Sequence, residues 1–163
     1  MKKIIMVLAI LIAIGVSLTA VSAFDLNFNF SSDENSDGDS IVFENGNLTI
    51  QGVEFAIPEG FELDDNSKKL AEQAEDMDDA KYSACKFTKD NEEIVIHVFF
   101  ADGDFENLTN VTSDQVNKTI NKVNGLYEAN HYGDNTPTFT YLKDGKIVKI
   151  NAPNDEIIES VIK

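Results

Sequence analysis

The chain has 163 residues, with 29 acidic against 13 basic side chains and a formal charge of −16. Every basic residue is lysine, so no forked guanidinium is present to hold phosphate bidentately. Such a surface repels nucleic acid and anionic lipid, which excludes nucleic-acid binding, while it attracts cations.

Lys2 and Lys3 open the chain, residues 4–16 are apolar throughout apart from Gly15, and Val21-Ser22-Ala23 supplies small residues where a signal peptidase cuts. Residues 1–23 therefore read as a signal peptide cleaved after Ala23. The alternative is a retained anchor, because residues 4–21 make about 18 positions, near the lower limit for a helical span. Contact with a membrane is expected only through this segment, and only if it stays uncleaved. Cys85 is the single cysteine, so no lipid-modified cysteine follows the apolar run and no intramolecular disulfide can form. Cleavage removes two lysines and takes the charge from −16 to −18. The expected location is extracellular or at the cell surface.

Residues 24–40 read as an acidic linker. Phe24, Leu26, Phe28 and Phe30 alternate with polar residues, and 31–40 is acidic and low in complexity. Asp33, Asn35, Asp37, Gly38 and Glu44 fall on the positions of a twelve-residue calcium loop. A strand over 41–44 would carry Glu44 roughly 16 Å from Asp39, at about 3.3 Å per residue, too far to close on an ion. The hairpin and the complete loop exclude each other. What survives is a partial, weak calcium site at Asp33, Asn35, Asp37 and Asp39, against a plain solvated linker. No other cofactor is expected.

A single globular domain is expected over 41–163, and about 120 residues suffice for one core without cross-links. Asn45-Gly46 marks a hairpin pairing Phe43 with Leu48 and Ile41 with Ile50. A third strand, 53–57, stops at Pro58-Glu59-Gly60. Residues 65–78 read as a helix with Leu70, Ala71, Ala74 and Met77 on one side. Residues 81–88 and 93–100 form a second hairpin about Asp90-Asn91. Its register puts Cys85 and Phe87 with Ile94, Ile96, Val98 and Phe100, and Val95 and Phe99 on the other face. A strand apolar on both faces is expected to be central and covered on both sides. Thr112-Ser113-Asp114-Gln115 has the pattern of a capping box, which predicts a short helix to Asn121 burying Val116 and Ile120. A strand is expected over 125–130, then a hairpin over 138–151 about Asp144-Gly145, with Phe139, Tyr141, Val148 and Ile150 on one face. Pro153-Asn154 starts a terminal helix, with Asn154 as cap and Asp155 and Glu156 at its positive end.

Catalytic chemistry finds little support. Cys85 and His97 form the only thiol–imidazole combination to consider near one hairpin, and the register places them on opposite faces. His131, beside Tyr132, has no partner identifiable from spacing, and the acids at 72–79 and Asp102-Gly103-Asp104 read as solvated face and turn. No catalytic residue is assigned. Five Asn-x-Ser/Thr sequons stand at Asn29, Asn47, Asn107, Asn110 and Asn117, and export makes them glycosylation candidates.

The lysine-only, Asn- and Asp-rich composition behind this leader resembles small exported proteins of methanogenic archaea. The order of elements over 50–163 is similar to the PsbP/Mog1-like fold. It runs from a strand entering Pro58-Glu59-Gly60-Phe61 through a helix, the 93–100 strand, the Asn124-Gly125-Leu126-Tyr127 strand and the 138–151 hairpin to a closing helix. That family usually carries Trp where Phe61 stands. The resemblance implies an α/β/α sandwich and an accessory or binding role without catalytic residues.

The expectation is thus an α+β domain, a mostly antiparallel sheet of about six strands with two or three helices. The expected role is an exported, non-enzymatic binding or accessory module with an unidentified protein or envelope partner. The alternatives are a structural envelope component with a cation-collecting surface and, less favoured by the motifs, a hydrolase using an acidic pair or His97.

Overall fold

Four two-residue turns organise most of the chain. Asn45-Gly46, Gln51-Gly52, Asn121-Lys122 and Asp144-Gly145 each hold both central residues at positive φ, between 45° and 78°. That is the type I′ geometry, whose twist matches the flanking antiparallel strands. The structure is a computed structural model and describes residues 41–64, 67, 81–101, 103–108, 114–130 and 135–163.

The first two turns join β1 (Ile41–Glu44), β2 (Asn47–Ile50) and β3 (Val53–Ala56) into a three-stranded antiparallel sheet. Ile41 pairs with Ile50 and Phe43 with Leu48, the expected register. The remaining strands are β4 (Glu62–Leu63), β5 (Lys81–Lys89), β6 (Glu92–Phe100), β7 (Val116–Ile120), β8 (Val123–Glu128), β9 (Thr138–Lys143) and β10 (Lys146–Asn151). They form a second, seven-stranded sheet in the order β4-β5-β6-β10-β9-β8-β7, with every neighbouring pair antiparallel. β6 and β10 lie side by side at its centre. The mostly antiparallel character is as expected, but the described residues form ten strands in two sheets, not about six, and with one helix they do not form the expected α/β/α sandwich with two or three helices.

One helix, α1 (Asp155–Val161), is present among the described residues. Asn154 caps it, its side-chain oxygen accepting from the Ile157 amide at 2.9 Å. Most of the helix expected over 65–78 lies outside the described residues. The helix expected to run to Asn121 is instead strand β7. Val116 and Ile120 are four apart, a spacing that keeps two residues on one side of a helix and equally on one face of a strand. The turn at Asn121-Lys122 decides, because it folds Val123 back opposite Ile120. Gln115 does not reach back to cap a helix; its amide donates to the Glu128 carboxylate at 3.4 Å.

The main core lies between the two sheets. Leu48, Ile50, Val53 and Phe55 of the small sheet meet Cys85, Phe87, Ile94, Ile96, Val98, Phe139, Tyr141, Val148 and Ile150 of the large one. Phe43 packs edge-on against Phe87, ring centroids 5.0 Å apart. Ile158, Val161 and Ile162 close the same cluster, and Phe55 bridges to Ile162. Gln51, in the β2–β3 turn, donates to the Ser83 hydroxyl at 3.0 Å and ties the sheets together. Burying each large aliphatic or aromatic side chain here contributes about 1.5–3 kcal/mol. No helix among the described residues is long and apolar enough to cross a membrane.

Candidate functional site

Strand alternation gives the seven-stranded sheet a second face, and that face carries the polar side chains. On β6, His97 and Phe99 point away from the core that Ile96 and Val98 enter. On β10 the same face takes Ile147, Lys149 and Asn151, on β9 Thr138 and Thr140, and on β8 Leu126 and Glu128. All of these are buried. The expectation that β6 is central and covered on both sides is met.

His97 stands directly opposite Lys149 on β10 and opposite Ala84 on β5. Each of the two basic residues is only 2% exposed. The His97 ring stacks along the strand on Phe99, centroids 6.3 Å apart. Burial pushes the Lys149 ammonium down to about 7, and the Glu128 carboxylate opposes part of that shift. Asn151 donates to the Thr138 hydroxyl at 2.6 Å, while its own side-chain oxygen is buried and accepts from none of the described residues. The result is a polar layer inside the protein: two basic groups, a carboxylate, an amide and two threonines on four adjacent strands.

The geometry limits what this layer can do. Cys85 pairs with Ile96 across the hairpin, so its thiol lies on the core face and the His97 ring on the other, with the sheet between them. Burial pushes the Cys85 thiol up to about 12, which suppresses the thiolate needed for nucleophilic attack. Among the described residues, the cross-strand neighbours of His97 are Ala84 and Lys149. Glu128 lies three strands away, roughly 14 Å at about 4.8 Å per strand. Lys149, near neutrality, has the chemistry of a base, but at 2% exposure no substrate reaches it in this conformation.

A second cluster is half-buried at the surface. Lys118 on β7 donates to Asp155 at 2.5 Å and sits 3.6 Å from the centre of the Tyr127 ring. The Tyr127 hydroxyl donates to the other Asp155 oxygen at 2.7 Å. The trio fastens β7 and β8 to the first turn of α1. Desolvation acts to raise the Asp155 pKa, but the hydrogen bonds from Lys118 and Tyr127 and the Lys118 charge outweigh it and hold the carboxyl below its ordinary value. Burial, then the bond to Asp155, pushes the Tyr127 phenol up to about 12. A shallow depression of about 350 Å³ opens beside the trio, lined by Asn117, Lys118, Thr119, Asn124 and Gly125.

Compared with protein families, with curated proteins and with solved structures, the chain matches none.

The remaining candidates distribute as follows. Asp33, Asn35, Asp37 and Asp39 lie outside the described residues, as do Asn29, Asn110, His131 and the acids at 72–79. Glu44 pairs with Asn47 in the β1–β2 hairpin, the arrangement that excludes it as a twelfth calcium ligand. Among the described residues, no three His, Cys, Asp or Glu side chains converge as metal ligands. Asp104 packs against the Asp144-Gly145 turn, where Phe105 N donates to Gly145 O at 2.9 Å. Asn47, Asn107 and Asn117 are all exposed. Sequence reasoning placed His97 correctly but missed its companions. The signal was present: the alternate positions of the 138–151 hairpin, opposite Phe139, Tyr141, Val148 and Ile150, are Thr138, Thr140, Lys149 and Asn151.

Proposed function

We propose that this chain is an exported, non-catalytic binding or accessory module, whose body over 41–163 is carried at or beyond the cell surface behind an acidic linker over 24–40. The observation that carries this reading is the separation of the reactive groups. Cys85 and His97 are divided by the sheet, and Lys149 and Glu128 belong to a sealed layer. Such a body offers edges and an acidic surface to partners. The leader over 1–23 supplies the location. The test is to fractionate producing cells and measure the N-terminal peptide. A chain beginning at Phe24 in the surface or medium fraction is expected. A full-length chain in the cytoplasm would sink the reading, as would turnover of a substrate that Lys149→Met or His97→Ala abolishes in a still-folded protein.

The charge supports a second reading, an envelope component that collects cations, with Asp33, Asn35, Asp37 and Asp39 as its weak calcium ligands. Calorimetric titration of residues 24–163 with calcium separates the two. Saturable binding lost in an Asp33→Asn, Asp37→Asn variant, together with calcium-dependent association, favours the envelope component. Weak binding unchanged by the substitutions, in a chain that stays monomeric, favours the accessory module.

A further inference from the structure

β7 is the long open edge of the seven-stranded sheet. It ends the strand order, and among the described residues no strand pairs with its outer side; the opposite edge, β4, is only two residues long. An open edge invites pairing with another chain, and proteins defend it with charge, proline or cover. Among the described residues, β7 has neither a proline nor a covering element. Its single charged residue, Lys118, is drawn over the Tyr127 ring and onto Asp155. Val116 at its start is 54% exposed, the most exposed large apolar side chain described. The strand also carries the sequon Asn117-Lys118-Thr119, with Asn117 exposed on the sheet face opposite the Lys118 cluster, at the rim of the depression beside Asn124.

We infer that Asn117 is N-glycosylated and that its glycan covers the open β7 edge. The inference rests on the export proposed above, which brings the chain to a glycosyl donor. The donor is an oligosaccharide linked through phosphate or diphosphate to a polyprenyl lipid. The Asn117 Nδ2–C1 bond forms as the C1–O bond to the lipid phosphate breaks. The pair of electrons of that bond leaves with the phosphate oxygen, Nδ2 gives up one proton to a base, and nothing is oxidised or reduced. Transfer precedes closure of the β7–β8 hairpin, because the folded chain commits the Thr119 hydroxyl to Asn124 Oδ1 at 2.7 Å. The first sugar then sits in the depression lined by Asn117, Thr119 and Asn124. Asn47 is a poorer site. Its oxygen accepts from Lys163 at 2.6 Å and its amide donates to Asn45 O at 3.3 Å, so a glycan there breaks contacts within the fold.

The test is glycopeptide mass spectrometry of the chain isolated from its producing cells, with the N-terminal peptide read in the same digest. The wild-type chain and Thr119→Ser, which keeps the sequon, carry a glycan on the 117 peptide. Asn117→Gln and Thr119→Ala lose it, and by sedimentation they shift from monomer to concentration-dependent association. An unmodified Asn117 in a chain that begins at Phe24 overturns this inference and leaves export standing. A cytoplasmic chain that retains its leader overturns both. A glycan whose loss leaves the variants monomeric overturns the role of covering the edge.

Discussion

His97 and Lys149 face each other directly across the β6–β10 ladder, both buried, on the side of the sheet that the apolar core does not use. Two cations in that position would repel and would each lack water. Holding the Lys149 amine near neutrality relieves both costs, and the Glu128 carboxylate two strands away limits how far the shift goes.

The first prediction concerns pH. Lys149 releases its proton near 7 when folded and near 10.5 when unfolded. Between those values the unfolded chain binds more protons, so stability rises with pH across the window. Below about 7 both states are protonated and the full cost is present, on the order of 5 kcal/mol. Urea unfolding at pH 6, 8 and 10 is expected to show this climb, and Lys149→Met is expected to flatten it. The slope is the quantity to read, because removing the amine also removes the charge that acts on Glu128 and shifts stability at every pH. Equal slopes in the two proteins would refute the assignment.

Asp155 gives the acid-side counterpart. Its folded pKa lies below 3.8, so its contribution is complete above that value and disappears as pH falls through the folded pKa. The side chain is 44% exposed, which screens the ion pair with Lys118 and leaves about 0.5–1 kcal/mol. Asp155→Asn is expected to cost that much at pH 7 and progressively less as pH falls below 3.8. Tyr127→Phe is expected to lose part of the same amount, since it removes the bond to Asp155 but keeps the ring under Lys118. A loss that persists unchanged into acid would point to packing instead.

Gly125 marks a closer constraint. A Cβ at this position would lie 2.8 Å from the Phe139 ring and in collision with the Thr140 carbonyl oxygen. Neither neighbour can give way, since one is backbone and the other a fully buried ring. Gly125→Ala is expected to cost about 2–4 kcal/mol, by overpacking. Thermal unfolding checks this, with Gly103→Ala as the control, because nothing lies within 4 Å of its added methyl. A Gly125→Ala protein as stable as the parent would mean that β8 and β9 are not paired in this register.

The elements that could be read in advance are those with one-to-one local signals. The Asn45-Gly46 and Asp144-Gly145 turns set hairpin registers residue by residue, and Asn154 announced α1. β7 was not legible. Its helix-like cap pattern and its four-residue apolar spacing fit a helix as well as a strand, and an Asn-Lys turn is a weak signal beside Asn-Gly. The polar layer was half legible. Alternation within each hairpin puts Lys149 with Thr140, and His97 away from Cys85. That β6 and β10 are neighbours is a long-range pairing that no local pattern encodes, so the meeting of His97 with Lys149 had to come from the fold.

Cys85 supplies the last prediction and bears on the proposed role. Its thiol lies on the core face opposite Ile96, is 3% exposed and has its pKa raised to about 12 by burial. Since the thiolate is the reactive form, the native chain is expected to resist a thiol-reactive dye at pH 8 and to label fully once unfolded in urea. The labelling rate in native buffer then reports opening of the β5–β6 region, and it should fall as stability rises with pH between 7 and 10 once the rate of the unfolded chain at each pH is divided out. Cys85→Ala is expected to cost about 1 kcal/mol through lost packing and to leave binding to any partner unchanged. Rapid labelling of the folded chain would contradict the sealed core, and would reopen the chemistry that the separation of Cys85 from His97 argues against.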